Sequence, residues 1–133
     1  MSELLKIYNT LSKKKQAFKP MNEGVVKMYV CGPTVYNYAH VGNFRTFVFE
    51  DVLRRFLKWR GYGVTQVMNI TDVDDKTIKG ARAEGVSLRE FTRKYEKLFF
   101  EDAASLSIER PEHTPRATDF IPQMVLLIQR LLD

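Results

Sequence analysis

The residues of this chain best suited to chemistry stand in one short segment, Cys31-Gly32-Pro33-Thr34-Val35-Tyr36-Asn37-Tyr38-Ala39-His40-Val41-Gly42-Asn43. It lies where a strand pattern gives way to a helix pattern. Open α/β sheets bind ligands at that place, outside the carboxyl ends of their strands. A helix start brings unpaired N–H groups and the positive end of the macrodipole, both suited to phosphate oxygens. Gly42 would let a bulky ligand approach the backbone closely. Taken singly, the same residues have plainer readings: His40 as a capping or partly buried imidazole, and Cys31 as a small buried apolar residue. A second segment, Asn69-Ile70-Thr71-Asp72-Val73-Asp74-Asp75-Lys76, offers carboxylates that a hard cation such as Mg²⁺ would accept. Acidic residues at a helix start are ordinary dipole partners, and that structural role is the expectation for Asp74 and Asp75. Thr71 stands open between a ligand contact and a cap for the acidic turn.

The elements that must position these residues follow from apolar spacing. Val25 to Cys31 reads as a strand, with Val26, Met28 and Val30 on one face and Val25 and Tyr29 on the other, so both faces are expected to be mostly buried, as in a parallel sheet. From about Gly42 to Arg60, Phe49, Val52, Leu53, Phe56 and Leu57 follow helical spacing, and Gly61 stops the helix. Val64 to Ile70 reads as a second strand. Strand, crossover helix and strand make a βαβ unit, expected to be right-handed.

Asp75 to Glu84 predicts a short helix closed by Gly85, and the next helix start is marked by Ser87 as N-cap, Glu90 completing a capping box, and Val86 stapled to Phe91. A last helix is predicted from about Thr118, with Ile121, Met124, Val125, Ile128 and Leu132 on one stripe. That stripe runs to the end without a Gly or Asn stop, so the chain is expected to continue in a longer protein, and the open stripe and strand edges to favour association. Lys13-Lys14-Lys15 reads as decoration of a turn. His113 reads as a surface imidazole, and Tyr36, Tyr38 and Trp59 as core or pocket-wall aromatics rather than base-stacking platforms.

Composition sets the bounds. The chain has 133 residues, 44% of them hydrophobic, with nine Phe, six Tyr and one Trp. That is enough apolar surface for a packed core, which excludes a disordered chain, and the length suits one domain or part of one. Lys plus Arg outnumber Asp plus Glu by 21 to 16. The resulting charge of +5 favours an anionic partner, although it is also what a merely soluble domain carries. One cysteine excludes an intramolecular disulfide and fits a reducing compartment. No run of about 18 apolar residues exists and Met1-Ser2-Glu3-Leu4-Leu5-Lys6 lacks the apolar core of a signal peptide, so a cytoplasmic protein without a membrane span is expected.

Read together, the motifs carry a family resemblance. His40-Val41-Gly42-Asn43 resembles the His-Ile-Gly-His signature of class I aminoacyl-tRNA synthetases, in a form with Asn at the fourth place. Met28-Tyr29-Val30-Cys31-Gly32-Pro33-Thr34-Val35-Tyr36 and Asn69-Ile70-Thr71-Asp72-Val73-Asp74-Asp75-Lys76 resemble the paired core motifs of the cysteinyl-tRNA synthetases. Lys6-Ile7-Tyr8-Asn9-Thr10-Leu11, Arg110-Pro111 and Pro115-Arg116-Ala117-Thr118 are similar to that family in the same order, so the resemblance spans nearly the whole chain.

The resemblance implies the N-terminal half of a Rossmann-like α/β catalytic domain over residues 1–133, a parallel sheet with flanking helices. It implies activation of L-cysteine with ATP and Mg²⁺, then transfer to tRNA(Cys), with the remaining catalytic half and the anticodon-binding domain elsewhere in the parent and this chain inactive alone. By the same resemblance His40 and Asn43 are catalytic hydrogen-bond donors to the triphosphate, and Gly42 shares the ATP site. Gly32 and Thr71 contact the substrate cysteine, and Cys31 is the first ligand of a zinc ion whose other protein ligands lie outside this chain. Asn43 departs from the signature: its amide can donate but cannot carry positive charge. Two alternatives stand beside this reading: the related ligase that joins cysteine to a sugar amine in mycothiol synthesis, and a short non-catalytic module that binds nucleotide or nucleic acid.

Overall fold

The computed structural model describes residues 4–133. Strands β1 (Lys6–Asn9) and β2 (Lys14–Ala17) form an antiparallel hairpin, followed by β3 (Val25–Val30), α1 (Val41–Trp59), β4 (Gly63–Met68), α2 (Asp75–Glu84), α3 (Leu88–Ser105), a 3-10 turn (Ala117–Phe120) and α4 (Ile121–Leu132). The hairpin has no counterpart in the sequence reading. Its strands carry alternating polar and apolar residues too few to fix a period, and it places Lys13 in the turn at φ 53° with Lys14 and Lys15 in β2.

The βαβ unit forms as expected. β3 and β4 pair in parallel from Val25 opposite Gly63 to Val30 opposite Met68, and Gly61 at φ 90° follows the end of α1. β4 ends at Met68, two residues short of the predicted Ile70, because the chain there turns to other partners. The segment around His113 to Ala117 lies along its far edge: Met68 N–H donates to the His113 carbonyl at 3.0 Å and Ile70 N–H to the Pro115 carbonyl at 2.8 Å. Among the described residues β4 is therefore central, flanked by β3 and by this extended segment, with parallel bridges at Val67–His113 and Ile70–Arg116.

Burial differs from the apolar pattern in two places. In β3 only Val26 and Val30 are buried and Met28 half-buried, whereas Val25 and Tyr29 are exposed, since no described element covers that face. In α1 the buried residues are Phe44, Phe47, Asp51, Arg54 and Leu57, while Phe49 and Val52 face outward. The predicted stripe was displaced because two of the inward positions are charged. Arg54, 2% exposed, donates to Gln66 Oε1 at 3.1 Å, to the Arg110 carbonyl at 3.0 Å and to the Glu112 carboxylate. Asp51 accepts the Glu109 N–H at 2.9 Å and Arg55 Nε at 2.6 Å. These charges anchor the loop that carries the third extended segment to β4, and a buried ion is tolerable only with partners of this kind.

The core has two parts. Phe44, Phe47 and Phe99 pack with Val30, Met68 and Ala103 beneath the β3–β4 ends, with Phe44 and Phe99 stacked at 5.6 Å. Val35, Ile70, Ala81, Phe91 and Tyr95 form the other, with Val86 packed against it as the expected staple. Ser87 caps α3 by accepting the Glu90 N–H at 3.2 Å, but no reciprocal bond from the Glu90 side chain closes the box. Gly85 at φ 67° ends α2. No residue of α4 is buried, so its apolar stripe has no cover among the described residues. No helix among them is long and apolar enough to cross a membrane.

Glu50 gives a test of this packing. Its Oε2 is buried without a hydrogen-bond partner among the described residues, and burial pushes the carboxyl from 4.5 up to about 7. Between those values the folded chain holds a proton that the unfolded chain releases. Stability is therefore full below about pH 4.5, falls as pH rises, and levels off above about 7. Glu50→Gln, which keeps the neutral form at every pH, should match the wild type in Tm at pH 4.5 and exceed it at pH 8; parallel Tm profiles would contradict the assignment.

Candidate active site

β3 runs out at Val30 and its chain continues as an irregular segment to the start of α1. This segment, with the first turns of α1, walls a cleft of about 510 Å³ whose lining includes Cys31, Gly32, His40, Gly42 and Asn43. The cleft thus collects five of the six residues expected to form the site. Thr71 is not among its lining residues. It lies behind the wall, where its N–H donates to the Pro33 carbonyl at 3.0 Å and its carbonyl accepts the Val35 N–H at 3.2 Å.

The start of α1 explains how two of these side chains are held. His40 is the N-cap, and its Nδ1 accepts the Gly42 N–H at 3.0 Å. Asn43 Oδ1 in turn accepts the His40 N–H at 3.1 Å. The cap is reciprocal, and each side chain spends an acceptor on it. An imidazole that accepts at Nδ1 carries its proton on Nε2, and an amide that accepts at Oδ1 keeps both Nδ2 protons. Both groups are left as donors. The cap also alters one expectation, because the Gly42 N–H that would have met a phosphate is taken by the imidazole. Gly42 is constrained for a further reason: a Cβ there would lie 2.9 Å from the imidazole Cε1.

Gly32 is fixed by a closer approach. A Cβ at this position would lie 1.8 Å from the Asn69 carbonyl oxygen, so the chain leaving β3 passes directly against the chain leaving β4. Cys31, immediately before it, is exposed on the cleft wall, which removes the buried-hydrophobe reading of its thiol.

The remaining candidates sort by their partners. Asp74 is the N-cap of α2, accepting the Lys76 N–H at 2.8 Å, and Asp74 N–H donates to Thr77 Oγ1 at 2.9 Å. Asp72, 5% exposed, accepts the Thr118 N–H at 3.0 Å and its hydroxyl at 2.5 Å, tying the 3-10 turn to the end of β4. Asp74 and Asp72 are thereby engaged structurally, and the cap that Thr71 was offered as providing is made by Asp74 and Thr77. Tyr36 and Tyr38 line the cleft, with Tyr38 edge-on to Tyr95 at 5.8 Å. Trp59 is neither core nor wall: it is 77% exposed near the end of α1, leaning on Phe56.

Two residues of the site were not singled out in the sequence. Lys76 lines the cleft with its Nζ 4.9 Å from the Tyr36 ring centre. Asn69 joins the ends of β3 and β4 by side-chain hydrogen bonds. Both belong to the quoted Asn69–Lys76 motif, whose repeated carboxylates drew attention from its ends. No Asp or Glu lines the cleft, whereas Lys76 and the start of α1 contribute positive potential. Donors, positive potential and volume together suit an anionic, nucleotide-sized ligand.

A family model described as the tRNA synthetases class I (C) catalytic domain matches residues 17–133. The chain belongs to this family. Within it, the chain is 54% identical over 129 residues to a cysteine–tRNA ligase of Protochlamydia amoebophila (strain UWE25), covering 97% of this chain and 27% of that protein. It is 55% identical over 131 residues to one of Chlamydia pneumoniae, covering 98% and 27%, and 52% identical over 129 residues to one of Koribacter versatilis (strain Ellin345), covering 97% and 26%. The chain thus spans about a quarter of the length of these class I (C) relatives. A solved ternary complex of LeuRS, tRNA and LeuAMS from Agrobacterium radiobacter K84 superposes with a TM-score of 0.57 at 25% identity, covering 68% of this chain and 12% of that one. The α/β fold of this class I (C) chain is therefore that of a class I synthetase catalytic domain.

The close approach at Gly32 yields a direct test. Gly32→Ala should lower unfolding stability by about 1–3 kcal/mol or more, the usual range for forcing a methyl into packed structure, because the obstacle is backbone. An unchanged urea midpoint would show that β3 and β4 do not meet there.

Proposed function

We propose that this chain is part of the active site of a cysteine–tRNA ligase, which joins L-cysteine to ATP as cysteinyl-adenylate and passes the cysteinyl group to tRNA(Cys). The observation that carries the reading is the convergence of Cys31, His40 and Asn43 on one cleft at the carboxyl end of β3. The first step is attack of the amino-acid carboxylate on the α-phosphorus of ATP. The protein's task there is positioning and charge stabilisation. His40 Nε2–H and Asn43 Nδ2–H, freed as donors by their reciprocal cap, are assigned to triphosphate oxygens, with Lys76 adding a cation at the same cleft. Mg²⁺ enters with ATP, since Asp72 and Asp74 are engaged in holding structure.

Cys31 fits a zinc site as one ligand. Its thiol is exposed on the cleft wall, and no group of three His, Cys, Asp or Glu that could hold a metal occurs among the described residues, so further donors would come from other parts of the parent protein. Zinc bound there would take the thiolate of substrate cysteine and reject the hydroxyl of serine. Gly32, next to Cys31, and Thr71, behind the wall, are assigned to the amino acid, Gly42 to the nucleotide side, and the cytoplasm to the protein as its place of work. The matched relatives named cysteine–tRNA ligase favour this over the mycothiol-type ligase and over a non-catalytic module.

His40→Ala in the full-length protein should lower cysteine-dependent pyrophosphate exchange by roughly 100- to 1,000-fold, the usual effect of one lost transition-state donor. A loss under about tenfold would remove His40 from the role; no exchange by the wild type would remove the function.

A further inference from the structure

The carboxamide of Asn69 touches all three strands of evidence for the amino-acid side of the cleft. Its Oδ1 accepts the Gly32 N–H at 3.2 Å and the Tyr29 hydroxyl at 3.1 Å. Its Nδ2 donates to Thr71 Oγ1 at 3.1 Å. One side chain therefore ties the residue after Cys31, the outer face of β3 and the hydroxyl of Thr71. The directions of these bonds are fixed by chemistry, because an amide oxygen can only accept and an amide nitrogen can only donate. The Gly32 and Tyr29 protons are spent on Asn69. The Thr71 hydroxyl, with a lone pair already engaged, keeps its own proton for another acceptor, and among the described residues it donates to none.

We propose that Asn69 is a positioning residue for the amino-acid substrate, holding the Cys31-Gly32 backbone in place and fixing the Thr71 hydroxyl as a hydrogen-bond donor to an anionic group of that substrate. This rests on the ligase reading above. A serine or water in place of the amide would leave the hydroxyl free to turn either way, and a carboxylate would turn it inward. Asp at position 69 is nearly isosteric and can accept from Gly32, Tyr29 and Thr71 together, so it preserves the links between strands while reversing the Thr71 bond. It also brings negative charge toward an anionic ligand.

The test is pyrophosphate exchange by the full-length protein, with KM determined separately for cysteine and for ATP. Asn69→Asp should raise KM for cysteine about tenfold or more, the size expected for a lost bond to a charged group, and leave KM for ATP within about twofold. Asn69→Ala, which frees the hydroxyl without adding charge, should raise KM for cysteine by less, again sparing ATP. In a Thr71→Val background Asn69→Asp should add little, since the hydroxyl it acts through is gone. The conservative Thr71→Ser should keep KM near the wild-type value. Equal rises for cysteine and ATP, an unchanged KM for cysteine in both Asn69 variants, or fully additive effects with Thr71→Val would overturn the proposal while leaving the ligase reading intact. A wild type inactive with cysteine would overturn both.

Discussion

The first turn of α1 is held by an exchange of hydrogen bonds between its own N-cap and third residue, and the chemistry of the cleft follows from which atoms that exchange consumes. His40 gives up Nδ1 and Asn43 gives up Oδ1. What remains on each is a donor, in a cleft lined by Lys76 and by no carboxylate. A helix start is usually described as an anion site through its backbone N–H groups. Here the Gly42 N–H serves the imidazole, so the side chains become the outward donors. The same exchange accounts for Asn where the class signature has a second His: the amide supplies an acceptor for the cap and a donor for the cleft at once, without carrying charge.

That turn is useful only if the strand before it ends at the right height. The backbone contact of Gly32 with Asn69 and the side-chain bonds around Asn69 fix the end of β3 against the end of β4. On the other side of β4, Arg54 and Asp51 hold the loop that brings His113 to Ala117 into register. The Phe44–Phe47–Phe99 cluster lies beneath, and Phe47 and Phe99 also line the cleft floor. Packing and site are thus continuous: the rings that stabilise the fold also exclude water from the base of the cleft.

Much of this was legible in the sequence where local chemistry decides the outcome. Gly61 and Gly85, the Ser87 cap and the period of β3 and β4 specify their elements with little help from distant contacts. The site segment was legible for the same reason, since its residues are close in sequence and their motif is distinctive. What was hidden depends on long-range partners. The inward face of α1 contains Asp51 and Arg54, whose burial is compensated by residues more than fifty positions away, and no apolar periodicity reveals that. The outer face of β3 lies open because no described element covers it. Asn69 appeared as one polar residue in an acidic run, and its place in the site became visible only when Gly32, Tyr29 and Thr71 met around it.

The most direct test of the reciprocal cap is a long-range ¹H–¹⁵N correlation spectrum of the His40 imidazole, recorded above the pH at which the ring is protonated and combined with a search for coupling across the Gly42 N–H to Nδ1 bond. The expected result is a ring protonated at Nε2 alone, with the Gly42 amide correlated to Nδ1. A ring protonated at Nδ1, with no such correlation, would mean that the imidazole does not cap α1, and that the donors assigned to the cleft are not the ones the fold supplies.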